Sequence, residues 1–238
     1  MPRTARLLLP GLPFHVVQRG VNKGAIFVDD TDREHFLRVL HKAFVKHGVA
    51  LHAYVLMGNH VHLLATPESA GSLASSMRSL GNSYVQAFNR RHARSGPLWQ
   101  GRFHSSMVDN EGYLLSVYRY IELNPVRAGL VHAAEDHRWS SVHGNLGLQR
   151  DPLLDPHPGF LALGCTVRQR AERYGSFLRE RTAQADTAGI REHERKQCPL
   201  GGRRFLGMLQ ETLGRPVQMR RQGRPRKAGN GGCDGQVD

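Results

Sequence analysis

The chain has 238 residues, is 39% hydrophobic, and sets 33 Lys and Arg against 20 Asp and Glu for a net charge of +13. That length supports one good core plus a smaller appendage. The apolar runs are short, and Pro10 and Pro13 interrupt the opening "MPRTARLLLPGLPF", so the pattern speaks against a signal peptide or a membrane span and for a soluble cytoplasmic protein. Cys165, Cys198 and Cys233 are odd in number and lack CxxC spacing, which argues against a disulfide framework or a cysteine metal site. The positive excess favours a polyanion, with nucleic acid the leading partner, because no strongly amphipathic basic helix supports an anionic membrane.

In chain order, "FHVVQRG" is rich in β-branched and aromatic residues before a Gly/Asn break and predicts a strand over 13–19. "DDTDREHFLRVLHKAFVKHG" has acids at its start, helical apolar spacing and Gly48 at its end, which predicts a helix with both termini marked. "VALHAYVLM" and "HVHLLATP" read as two strands joined by a tight Gly58-Asn59 turn. "SLASSMRSLGNSYVQAFNRRH" is a second helix with a basic end, "RFHSSMVD" a fourth strand, and "EGYLLSVYRYIELN" a third helix that Pro125 should stop.

Strand, helix, two strands, helix, strand is the split β-α-β-β-α-β order of ferredoxin-like folds, so the expected class is α+β, an antiparallel sheet with helices on one face. The expected organisation is a catalytic domain over 1–135, a mainly helical extension over 136–213 with helices near 167–182 and 203–213, and a basic tail over 214–238. "GRPVQMRRQGRPRK" holds six basic residues and no acid. Such a run reads as a disordered solvated end or, given the overall charge, as a nucleic-acid-binding arm.

In "HVHLL", strand alternation puts His60 and His62 on one face with Val61 on the other, so two imidazoles can hold one metal ion. The third ligand must come from another element. On the third helix, Tyr120 and Asn124 are one turn apart and share a face, whereas Tyr113 lies farther along and Tyr118 points elsewhere. The plainer reading makes all three tyrosines half-buried helix aromatics.

"RLLLPGLPFHVVQRGVNKGAIF", "HVHLL", "LWQGRFHS" and "YRYIELNPVRAGLV", occurring in order over roughly residues 1–145, resemble the REP-associated tyrosine transposases of the single-tyrosine HUH superfamily, as does the basic "RRQGRPRK" end. The resemblance implies that His60 and His62 are paired metal ligands, Tyr120 the nucleophile and Asn124 the third ligand. Related insertion-sequence transposases carry Gln where Asn124 stands, and the shorter amide can still offer its oxygen. A site of two imidazoles and one amide oxygen leaves positions open for water and phosphate, which suits Mg²⁺ or Mn²⁺.

The resemblance further implies a monomer or homodimer acting on single-stranded or hairpin DNA through a 5′-phosphotyrosine link. Candidate DNA contacts are Arg19, Asn22, Lys23, Trp99, Gln100 and Arg102, with Arg220, Arg221, Arg224, Arg226 and Lys227 in the tail. For Trp99, core packing competes with base stacking. The competing function is DNA binding on the same fold without catalysis.

Overall fold

The computed structural model describes residues 9–110, 112–180 and 184–217. Strands β1 (Phe14–Arg19), β2 (Val49–Leu56), β3 (His60–Pro67) and β4 (His104–Met107) form one antiparallel sheet in the order β2-β3-β1-β4, the expected ferredoxin-like arrangement. The crossover helices α1 (Asp30–His47) and α2 (Ser72–Arg91) pack together on one face, burying Phe36, Leu40, Leu73 and Leu80 against Phe14, Val16, Val61 and Leu63. Helix α1 begins where Asp29 accepts a bond from the Asp32 amide and ends at Gly48, left-handed at φ 64°.

The opposite face is also covered. Helix α3 (Leu114–Glu122) lays Val117, Tyr118 and Ile121 on Ala53, Val55 and Leu64. Pro125 does not simply stop this helix: α3 ends at Glu122 and a short helix α4 (Asn124–Arg127) begins at once with the proline in its first turn, where a missing N–H costs nothing. Inside β2 the pairing register shifts between Leu51 and Ala53. The bulged His52 reverses the alternation, so Leu51 joins the first core and Ala53 the second.

The C-terminal extension folds onto both faces. After the short α5 (Val142–Asn145) and α6 (Pro158–Leu161), helix α7 (Val167–Arg179) buries Tyr174 and Leu178 beside α3. Helix α8 (Gln184–Lys196), which the sequence reading did not anticipate, adds Ile190 to that core. Helix α9 (Arg203–Leu213) returns to the first core with Phe205 and Leu209, followed by the buried Val217. Both sheet edges receive backbone partners: the Leu56 amide donates to the Trp139 carbonyl and the Leu200 amide to that of Met107, which leaves less ladder for another chain to pair with.

Candidate active site

Strands β1 and β3 together supply the histidines. Their antiparallel pairing sets Val17 opposite His62 and His15 opposite Leu64, so His15, His60 and His62 share the face that looks toward α3. The His60 and His62 ring centroids are 5.0 Å apart, and Val61 packs in the other core, as strand alternation demands. His15 Nε2 lies 2.9 Å from His62 Nδ1, with the rings stacked at 5.1 Å. His60 Nδ1 donates to Asn59 Oδ1 at 2.7 Å, which leaves its Nε2 lone pair available. Burial lowers all three imidazoles, His15 and His60 to about 4 and His62 well below its ordinary value, so they are neutral at neutral pH.

Tyr120 projects from α3 into this cluster and is only 6% exposed. Its ring centroid lies 5.9 Å from that of His62 and 5.6 Å from that of His15. Its hydroxyl donates to Glu194 Oε2 at 3.4 Å, and burial, with the Glu194 charge second, raises its pKa. On the other side of the ring, the Arg127 guanidinium sits 4.3 Å from the centroid and donates to the Tyr120 carbonyl. Asn124 opens α4 four residues on, half-buried.

One donor atom each from His15, His62 and Glu194 lies within 4.8 Å of the others, a group able to hold a metal ion. Only His62 is common to this group and the expected set of His60, His62 and Asn124. Two neutral imidazoles with a carboxylate suit a divalent cation, because metal binding requires lone pairs unblocked by protons.

Three of the gathered residues were not singled out by sequence. His15 becomes visible only when the β1–β3 register is known, since nothing in "FHVVQR" distinguishes it from a half-buried strand histidine. Glu194 rides on the unanticipated α8, while Arg127 lies within the motif stretch that carries Tyr120. A fourth, Glu122, supports the site from behind. It is fully buried and accepts from Ser141 Oγ at 2.6 Å, Tyr174 Oη at 2.6 Å and Asn145 Nδ2 at 2.7 Å, tying α3 to α5 and α7 two residues from Tyr120. Tyr118, fully buried and stacked on Phe160 at 5.3 Å, is a core residue, and Tyr113 is exposed.

The two segments expected to contact DNA lie side by side: Val21 N donates to Leu98 O, and Gln100 N to Arg19 O. A Cβ on Gly20 would fall 2.2 Å from the Gly24 carbonyl oxygen, so only glycine lets the chain turn there into the left-handed Asn22 (φ 52°) and Lys23 (φ 58°). Arg19 is engaged by Glu194 at 2.6 Å. Trp99 stacks on Tyr84 at 6.0 Å, and it also lines a cavity of about 460 Å³ with Gln18, Arg78, Asn82 and Arg102. Packing and an accessible ring therefore coexist at Trp99. Arg220, Arg221, Arg224, Arg226 and Lys227 lie outside the described residues.

The antiparallel ferredoxin-like sheet turns histidines and a buried tyrosine toward one another. Residues 9–124, a little under half of the chain, match the model of the family described as "Transposase IS200 like". A candidate REP-associated tyrosine transposase from Haemophilus influenzae is 28% identical over 101 residues, covering 38% of this chain and 57% of that relative, so the match spans little more than half the relative's length. Among solved structures, a REP-associated tyrosine transposase bound to a REP hairpin is similar with a TM-score of 0.53 at 20% identity, covering 67% of this chain and 93% of that one, a likeness of fold. A candidate transposase from Deinococcus radiodurans has a TM-score of 0.36 at 20% identity over 51% of this chain and 96% of its own. Among the described residues no helix is long and apolar enough to cross a membrane.

Proposed function

We propose that the chain is a metal-dependent transposase that nicks and rejoins single-stranded DNA at hairpins of the repetitive extragenic palindrome kind, through a 5′-phosphotyrosine on Tyr120. The observation that carries the reading is the Tyr120 hydroxyl, set among a carboxylate and neutral imidazoles inside a domain of a transposase family. A solved protein of the same fold bound to a REP hairpin supports the substrate class.

In the proposed step, Tyr120 Oη gives its proton to the Glu194 carboxylate and bonds to phosphorus, and the P–O3′ bond breaks. The leaving 3′ oxygen takes up a proton, and the phosphodiester keeps its single negative charge. Because the energy of the linkage stays in the Tyr–O–P bond, another 3′-hydroxyl can reverse the step and join strands. His60 and His62, with His15 and Glu194 beside them and Asn124 four residues on from Tyr120, would hold a divalent ion, and a bound Mg²⁺ or Mn²⁺ would supply Lewis-acid polarisation of the scissile phosphate.

DNA binding without catalysis is the competing reading, favoured by the 6% exposure of Tyr120. One experiment separates them: incubation with single-stranded hairpin DNA and Mn²⁺, followed by a denaturing gel. A protein–DNA adduct that disappears in Tyr120→Phe supports the enzyme. Tight binding with no adduct under any divalent metal supports the alternative.

A further inference from the structure

Arg127 is a half-buried cation with no paired carboxylate among the described residues. Its Nε is enclosed and has no hydrogen-bond partner. Other arginines around α3 are served differently: Arg19 is paired with Glu194, Arg119 donates to the Phe177 carbonyl and lies 3.9 Å from Glu180, and Arg191 hydrogen-bonds the Tyr120 side chain. Burial lowers the Arg127 pKa to about 10, and the nearby Arg191 also acts to lower it, yet at neutral pH the group is still charged. A guanidinium partly withdrawn from water, with its Nε enclosed and unpartnered, is costly unless an anion arrives, and a planar fork of N–H donors suits phosphate oxygens. This one is held on the face of the Tyr120 ring, 4.3 Å from its centroid, and pinned there by its bond to the carbonyl of Tyr120, seven residues upstream.

We propose that Arg127 is the anion-binding group of this site: it takes a non-bridging oxygen of the scissile phosphodiester, and then of the phosphotyrosine, while its stack on Tyr120 holds ring and phosphate in register. The role in catalysis rests on Tyr120 being the nucleophile. The affinity for phosphate does not.

The test has two arms on the full chain. In the first, inorganic phosphate is titrated into ¹⁵N-labelled protein while arginine Nε–Hε resonances are followed, the Arg127 signal being the one lost in Arg127→Lys. That signal should shift saturably with phosphate and stay put with chloride at equal ionic strength. A response no larger than that to chloride overturns the proposal. In the second arm, Arg127→Gln should slow adduct formation with hairpin DNA by about 100-fold while changing DNA affinity less than about threefold, with Arg127→Lys restoring part of the rate. A rate for Arg127→Gln within threefold of the unmodified protein also overturns it. If the unmodified protein forms no adduct, the nicking reading falls, and the phosphate titration still decides whether Arg127 binds the anion.

Discussion

The Glu194 carboxylate bridges the Arg19 guanidinium, 2.6 Å from one oxygen, and the Tyr120 hydroxyl, 3.4 Å from the other. One side chain of the C-terminal extension thus occupies both a residue expected to contact DNA and the proposed nucleophile. Glu194→Gln removes a negative charge from this position and frees Arg19 for a phosphate. The expected result is tighter binding of single-stranded DNA at low salt and a salt dependence steeper by about 0.7 in log K against log [salt], one extra counterion's worth. Fluorescence anisotropy across a KCl series measures both, and an unchanged slope would show that Arg19 stays off the DNA.

The tyrosines should separate cleanly. Tyr120→Phe keeps the ring between His62 and Arg127, so folding should change little while nicking and covalent attachment vanish. Tyr118→Phe, in the core beneath Phe160, should leave the adduct intact at a stability change of about 1 kcal/mol or less. A Tyr120→Phe protein that still forms a 5′ adduct would move the nucleophile elsewhere.

Acid should destabilise the fold through its buried histidines. His52 donates from Nδ1 to the Asp155 carbonyl at 2.6 Å and accepts at Nε2 from the Thr66 hydroxyl at 2.8 Å, and burial lowers its pKa from 6.5 to about 4. Between those values the unfolded chain binds more protons than the folded one, so stability is lost as pH falls from 6.5 toward 4 and is regained as it rises. The contribution of His52 to that loss is about 3 kcal/mol. Urea unfolding of His52→Gln at pH 7 and pH 4.5 should show a smaller drop than the unmodified protein, and an equal drop would place the acid sensitivity elsewhere.

The basic tail can be tested without cutting into the core, provided truncation begins after the buried Val217. Deleting residues 218–238 removes Arg220, Arg221, Arg224, Arg226 and Lys227. If all five contact the backbone of single-stranded DNA, the salt slope should flatten by about 3.5, with adduct formation surviving at high protein concentration. A slope that does not change marks the tail as a passive end.

Much of this architecture is written in local patterns. Helices with apolar spacing and marked ends, such as α1 between Asp29 and Gly48, announce themselves, as does the Gly58-Asn59 turn between β2 and β3. The facing of His60 and His62 also follows from alternation alone. Glu194 shows where local reading stops: α8 has Ile190 as its buried apolar contact and Gly189 beside it, so little amphipathic signal marks the helix or its docking on α3. His15 needs a cross-strand register, and the covering of the second sheet face needs the knowledge that α3 and α7 meet around Glu122. Each missed feature depends on contacts between residues far apart in the chain.

Strand β3 is hydrogen-bonded on both sides, by β1 and by β2, whereas the helix that brings Glu194 is tied to the sheet through its backbone by the bond from Ser106 Oγ to the His193 carbonyl. Amide hydrogen exchange should therefore divide the site into two kinetic classes: the His62 amide opening only with the whole domain, and the Glu194 amide opening with its own helix. The histidine floor of the site would then stay in place through excursions that carry the acid away from Tyr120.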